Sequence, residues 1–327
     1  MSDETREFRP NGQAHGPTQG EVRTAGGASS RTSGRGRFDT GSEWFWPVAN
    51  LLGLAAVIVM NALATIVEFN GRSTGDVVNA DPVYFQPAGW AFSIWSLIYI
   101  LLGVFVVYSF LPAGRRNARI RGIGPGFLVA NVANISWLLL WHWEQWFASL
   151  LVITLLLLAL AYIYARLRRG RRSVEDQPTP AERLMVWTPF SVYLGWITVA
   201  LLANVTVWSE RTGTEISGLS PQAWAVVAIL IAVGAAALMA IWQRDPSYTA
   251  VIAWGVLAVA VEQWDRSKSV SVTAIIGALA AAALVVFGAL LAYETRAKGY
   301  ELPQHFAGLR RDRDGIQGSS RDRGSSV

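Results

Sequence analysis

The sequence predicts an all-α membrane protein with eight transmembrane helices. Long stretches without a single charged residue recur along its 327 residues, and several reach the length of a bilayer crossing. Only 16% of residues are charged against 52% hydrophobic, whereas a soluble domain carries about 25% charged residues. Mean hydropathy is +0.31. The charges crowd the two ends and a few short loops, and arginine favours alternate loops, as expected of a chain threaded through a membrane.

The elements follow in order. Residues 1–43, rich in Gly, Ser, Thr and Arg, predict a disordered cytoplasmic tail. No apolar core of a cleavable signal peptide lies within the first ~30 residues, so the first hydrophobic segment reads as an uncleaved span. A hydrocarbon core of ~30 Å needs about 20 apolar helical residues. The candidates are Pro47–Val67, Trp90–Leu111, Ile123–Trp141, Trp146–Ala165, Leu184–Trp208, Gln222–Trp242, Pro246–Val261 and Ser269–Tyr293. The seventh is short, and Gln263 and Trp264 could carry it to the interface. Helices are the economical reading because backbone groups in lipid must bond within their own segment. Residues 296–327 are charged and Gly/Ser-rich, and predict a second disordered cytoplasmic tail.

Loop charges set the orientation. Arg31, Arg35 and Arg37 precede the first span; Arg115, Arg116, Arg119 and Arg121 follow the second. Arg166, Arg168, Arg169, Arg171 and Arg172 follow the fourth, Arg244 the sixth, and Arg296, Lys298, Arg310 and Arg311 the last. The opposite loops hold Arg72, Arg211 and, against the trend, Arg266 and Lys268. The positive-inside rule then puts both termini in the cytoplasm, and that parity supports counting the short seventh span. Lysine appears only as Lys268 and Lys298, an arginine bias that suggests a GC-rich bacterial genome and hence a bacterial plasma membrane.

Several function classes are excluded. Without cysteine there is no disulfide, thiolate metal site or cysteine nucleophile. His15, His142 and His305 are scattered, with no pair at metal-binding spacing, and His142 has no second ligand for haem. No phosphate loop, carboxylate dyad or catalytic triad can be assembled, so the sequence predicts neither an enzyme nor a metal centre. The net charge of +5 reflects loop asymmetry and predicts no nucleic-acid partner. Glu68, Glu144 and Glu262 lie at span edges, which argues against an ion-driven transporter but leaves a passive conduit open.

Tryptophan, at 15 residues, is the outstanding residue type. Trp44, Trp46, Trp143, Trp146, Trp208, Trp224, Trp242 and Trp264 fall at span ends, as an interfacial belt requires. Trp95, Trp137, Trp196 and Trp254 fall inside spans. Trp95 and Tyr99 share a helix face at i, i+4, and Asn134 and Trp137 at i, i+3. Trp196 and Asn204 lie eight positions apart, about 80° around their helix and roughly 12 Å along it. Two readings stand: an aromatic pocket with polar handles for a flat amphipathic ligand, or Asn and Trp hydrogen bonds that glue helices together. Asn50, Asn61 and Asn131 read as packing. The loop Glu68–Gly89 is long for a membrane hairpin; it reads as a lid over the bundle mouth or as a plain connector.

The run Phe85-Gln86-Pro87-Ala88-Gly89-Trp90-Ala91-Phe92-Ser93-Ile94-Trp95-Ser96-Leu97-Ile98-Tyr99, followed by Asn134-Ile135-Ser136-Trp137 and by Pro189 through Gly195-Trp196, Ala203-Asn204 and Trp208, resembles the TspO/MBR family of tryptophan-rich sensory proteins. The resemblance covers about residues 47–208. It implies a TspO-like five-helix bundle over 44–208, with three additional helices over 209–295 as in an extended form. It also implies a pocket below the first loop, lined by Trp95, Tyr99, Asn134, Trp137, Trp196 and Asn204. The implied function is sensing, binding or helping to transport a porphyrin-like or other flat hydrophobic ligand. Porphyrin or haem is implied as ligand, with no cofactor firmly required. The alternative is a passive or secondary transporter of a small hydrophobic substrate. The partners expected are the lipid bilayer, the hydrophobic ligand and a second copy in a homodimer; small residues at Gly277-Ala278-Leu279-Ala280-Ala281 suggest tight packing of the last span.

Overall fold

The computed structural model describes residues 40–72, 74–80, 82–169, 178–215 and 218–319, with side chains of the final helix followed to Glu294. The expected N-terminal tail up to residue 39, with His15, Arg31, Arg35 and Arg37, lies outside the described residues, as do Ser73, Asp81, Arg171, Arg172 and residues 320–327.

Among the described residues every regular element is helical. The helices are α1 (Thr40–Ile66), α2 (Thr74–Asn79), α3 (Ile94–Phe110), the short α4 (Pro112–Arg115) and α5 (Ala118–Arg121), α6 (Gly124–His142), α7 (Trp146–Arg168), the short α8 (Pro180–Glu182), α9 (Thr188–Thr212), α10 (Pro221–Leu238), α11 (Pro246–Glu262) and α12 (Lys268–Ser319). Seven helical stretches among the described residues are long and apolar enough to cross a membrane; α11, at 17 residues, is shorter. The backbone of α12 continues as helix past residue 296, where the sequence predicted a tail to begin.

Local chemistry explains where helices start. Thr179, Ser220 and Asp245 each precede a proline, and each side chain accepts a backbone N–H from the first turn that follows. A capping oxygen before proline at the first helical position satisfies one orphan donor and removes another. Single π-turns interrupt two spans, at Arg183–Trp187 and Met239–Gln243.

The helices form one continuous packing order. α1 packs on α3 and α6, α6 on α7, α7 on α9, α9 on α11, and α12 on both α11 and α10. The centre is α9: 72% of its membrane-length stretch is buried, against 22% for α1. Close approach of α9 and α11 depends on two glycines. A Cβ on Gly195 would lie 3.0 Å from Val251, and one on Gly255 would lie 2.8 Å from Val199. The helices before and after residue 208 therefore share a core.

Asp245, at a loop by sequence, is 4% exposed. Its Oδ2 accepts from Arg168 (2.9 Å), Tyr164 (2.9 Å) and Ser191 (2.6 Å), while Oδ1 caps α11 through Ser247 and Tyr248 N–H. Arg168 also donates to the Gln243 carbonyl at 2.6 Å. This cluster fastens one end of α11 to α7 and α9.

Candidate functional site

The opposite end of the bundle holds the aromatic residues. The chain leaves α1 through Glu68 and Asn70, both at positive φ (54° and 58°), and Asn70 donates to the His142 carbonyl at 3.1 Å. Two left-handed residues so close together turn the chain back over the bundle. α2 then lies across the bundle mouth, where Val77 and Val83 pack with Trp141 and Val207. Residues 82–88 cross as a non-helical strap, and a 3-10 turn at Gly89–Ser93 delivers the chain into α3.

Beneath this cover lie two adjoining cavities. The outer one has a volume of about 480 Å³ and is lined by Ile58, Asn61, Ala62 and Thr65 of α1, by α2, by Gly89, Phe92, Trp95 and Tyr99, and by Trp137 and Leu138 of α6. The inner one, about 50 Å³, is lined by Val83, Phe85, Gln86 and Pro87 of the strap, by Trp95, Trp137 and Trp141, and by Trp196, Val199 and Asn204 of α9, among others. Val78, Phe92, Trp95 and Trp137 border both. Ligand sites are typically about 300–1,000 Å³, so the outer chamber has the size for a small organic molecule and the inner one for a substituent or a water.

The walls are rings in ordered contact. Trp95 stacks on Tyr99 (centroids 5.6 Å apart, planes at 27°) and meets Tyr193 edge-on at 5.8 Å. Phe92 meets Trp196 at 5.8 Å, and Trp137 lies 5.6 Å from Trp141. Within this surface the buried Tyr99 hydroxyl, Trp137 Nε1, Trp141 Nε1 and Asn204 Nδ2 have no hydrogen-bond partner among the described residues. Native proteins rarely leave buried donors unpaired, and each costs about 1–3 kcal/mol. The site is thus an apolar aromatic surface with unpaired donors buried in its walls.

The residues singled out from sequence divide three ways. Trp95, Tyr99 and Trp137 line the outer chamber; Trp196 and Asn204 line only the inner one. Asn134 borders neither. It accepts from Asn61 at 3.2 Å and donates to the Tyr193 hydroxyl at 3.0 Å, so it ties α1, α6 and α9 together. Both readings of the buried carboxamides thus have members here. The sequence reading missed Phe92 and Trp141 as lining residues, while the loop that contains the strap had been offered as a lid or a plain connector. Phe92 lay inside the motif it had quoted, and Trp141 is one turn beyond Trp137 on the same face.

His142 does not face either cavity. Its ring is buried, with Nδ1 2.8 Å from the Leu138 carbonyl and its edge toward Phe69. It does not fit as an axial ligand for a haem in the chamber. Among the described residues no three His, Cys, Asp or Glu side chains gather as a metal site.

Fold and site together define a polytopic helical membrane protein with a capped, aromatic chamber at one end. A family model described as TSPO-like protein matches residues 47–287, and the chain belongs to that family. The match runs beyond the first five spans into the last helix. No curated protein and no solved structure matches the chain.

Proposed function

We propose that the chain binds a flat, hydrophobic molecule carrying hydrogen-bond acceptors, with a porphyrin as the leading candidate, and acts as a membrane sensor or accessory without transforming its ligand. The observation that carries this reading is the set of unpaired donors, Tyr99, Trp137, Trp141 and Asn204, within an aromatic lining. Ring faces supply stacking area, and the donors suit carboxylate or carbonyl oxygens on the ligand's edge. The first five spans would form the ligand-binding body and the last three an extension.

In the same reading α11 crosses the membrane with the other seven helices, giving eight spans and both ends on the cytoplasmic side. At 1.5 Å per residue its 17 residues reach about 25 Å, less than the hydrocarbon thickness. Burial of Thr249, Ile252, Val256 and Val259 against neighbouring helices means that it need not match the lipid itself.

Titration of purified protein with protoporphyrin IX, followed by tryptophan fluorescence, tests the assignment. Saturable quenching is expected, with affinity lowered in Trp95→Ala and Trp137→Ala. Affinity unchanged in both variants would remove the chamber as the site. Specific flux in proteoliposomes would replace sensing with transport.

A further inference from the structure

The strap over the two cavities has no helix of its own to satisfy its backbone. Its polar groups must borrow partners, because an unpaired amide in a membrane interior costs several kcal/mol. Most of those partners come from one place. Ala88 N–H donates to the Ala258 carbonyl at 3.1 Å, and Gln263 Nε2 donates to the Val83 carbonyl at 3.2 Å. Arg266 donates to the Pro82 carbonyl at 2.9 Å, and Trp254 Nε1 to the Ala91 carbonyl at 3.2 Å. All four donors or acceptors belong to α11 or the turn after it. From α10, Gln222 donates to the Tyr84 hydroxyl at 2.8 Å.

The fastening on the other side of the cover is different in kind. There the loop is held by Arg72 to Glu144, an ion pair whose side chains are 48% and 42% exposed, and by Asn70 to a backbone carbonyl. Exposed ion pairs hold weakly. Gln263, by contrast, is fully buried, so its bond to Val83 forms out of water.

We propose that the last three helices position the wall of the ligand site, with Gln263 as the positioning residue and Trp254 as its second anchor. The proposal rests on the ligand-binding reading above and assigns a task to the extension: it sets the height of the strap over the aromatic floor. Val83 and Phe85 border the inner cavity, and Phe92 borders both. Arg266 also reaches the Val83 carbonyl at 3.4 Å, so loss of the buried Gln263 donor would loosen the strap and change the shape of the chamber without altering a residue on its floor.

The test uses full-length protein in detergent, with amide hydrogen exchange read across residues 82–92 and protoporphyrin IX affinity read in parallel. Gln263→Met keeps the side-chain volume and removes the donor; Trp254→Phe keeps a ring and removes the N–H. Both are expected to speed exchange across 82–92 and to weaken protoporphyrin binding about tenfold, the order expected for one buried hydrogen bond. Asp245→Ala, at the other end of the same helix, is the control: it should lower thermal stability and leave the affinity of the folded protein unchanged. Unchanged exchange across 82–92 in both variants overturns the proposal whatever binds. Faster exchange with undiminished affinity overturns the link to the site. If wild-type protein binds no protoporphyrin while exchange still responds, the ligand reading fails and the positioning of the strap stands.

Discussion

The two ends of α11 treat buried polar groups in opposite ways. Around Asp245, five donors converge on one carboxylate, and Arg168 is left with only its Nε unpaired. Beneath the strap, four donors buried in the cavity walls have no partner among the described residues. A saturated cluster is architecture: its energy is already spent on holding α7, α9 and α11. An unsaturated one is a standing cost that a ligand with acceptors would relieve. Residue type alone does not make the difference: the Asn134 amide and Trp224 Nε1 are paired, whereas Asn204 Nδ2 and Trp137 Nε1 are not.

The largest effect that would break this comparison is at the saturated end. Asp245→Ala leaves Arg168 buried without its partner and removes the α11 cap, and should cost about 3–5 kcal/mol, read as thermal unfolding in detergent. A loss below about 1 kcal/mol would show the cluster to be incidental. Asn134→Leu comes next. It strands the Tyr193 hydroxyl, leaves the Asn61 amide with only the Val57 carbonyl, and should cost about 1–3 kcal/mol, although the sequence motif groups Asn134 with the cavity residues.

Tyr99→Phe and Trp137→Phe should do the reverse. Each deletes a donor with no partner, so stability should hold or rise slightly while protoporphyrin affinity falls several-fold, by about 1 kcal/mol. A porphyrin whose acid side chains are replaced by alkyl groups should bind wild type and variants alike; a persisting difference would mean that the donors do not meet the ligand's acid groups. The smallest effect belongs to Arg72→Ala. Its exposed pairing with Glu144 should contribute no more than about 1 kcal/mol, and salt should erase it.

Much of the site was legible because the motif residues fall at helical spacing. Trp95 and Tyr99 stack as an i, i+4 pair should, and Trp137 adjoins them across α6. Trp44, Trp143, Trp242 and Trp264, assigned by sequence to a belt at span ends, are exposed, as a belt requires. Trp224 shows the limit of that assignment: at a span end by sequence, it turns inward and donates to Thr206 at 3.1 Å. Helical periodicity gives the face a residue shares with its neighbours along one helix. It does not say which other helix that face meets, so it could not separate Asn134 from Asn204, nor predict that one chamber would be divided into a large and a small one.

The amino-acid sequence by itself determined that the chain enters lipid, where its helices run and which of them carry rings inside, because hydropathy and helical spacing are local properties that add up along a segment. Only the tertiary structure decided which buried donors are satisfied and that α11 carries the strap. Those outcomes depend on pairs such as Gln263 and Val83, 180 residues apart, whose meeting is a product of the packed bundle and leaves no local pattern in the chain.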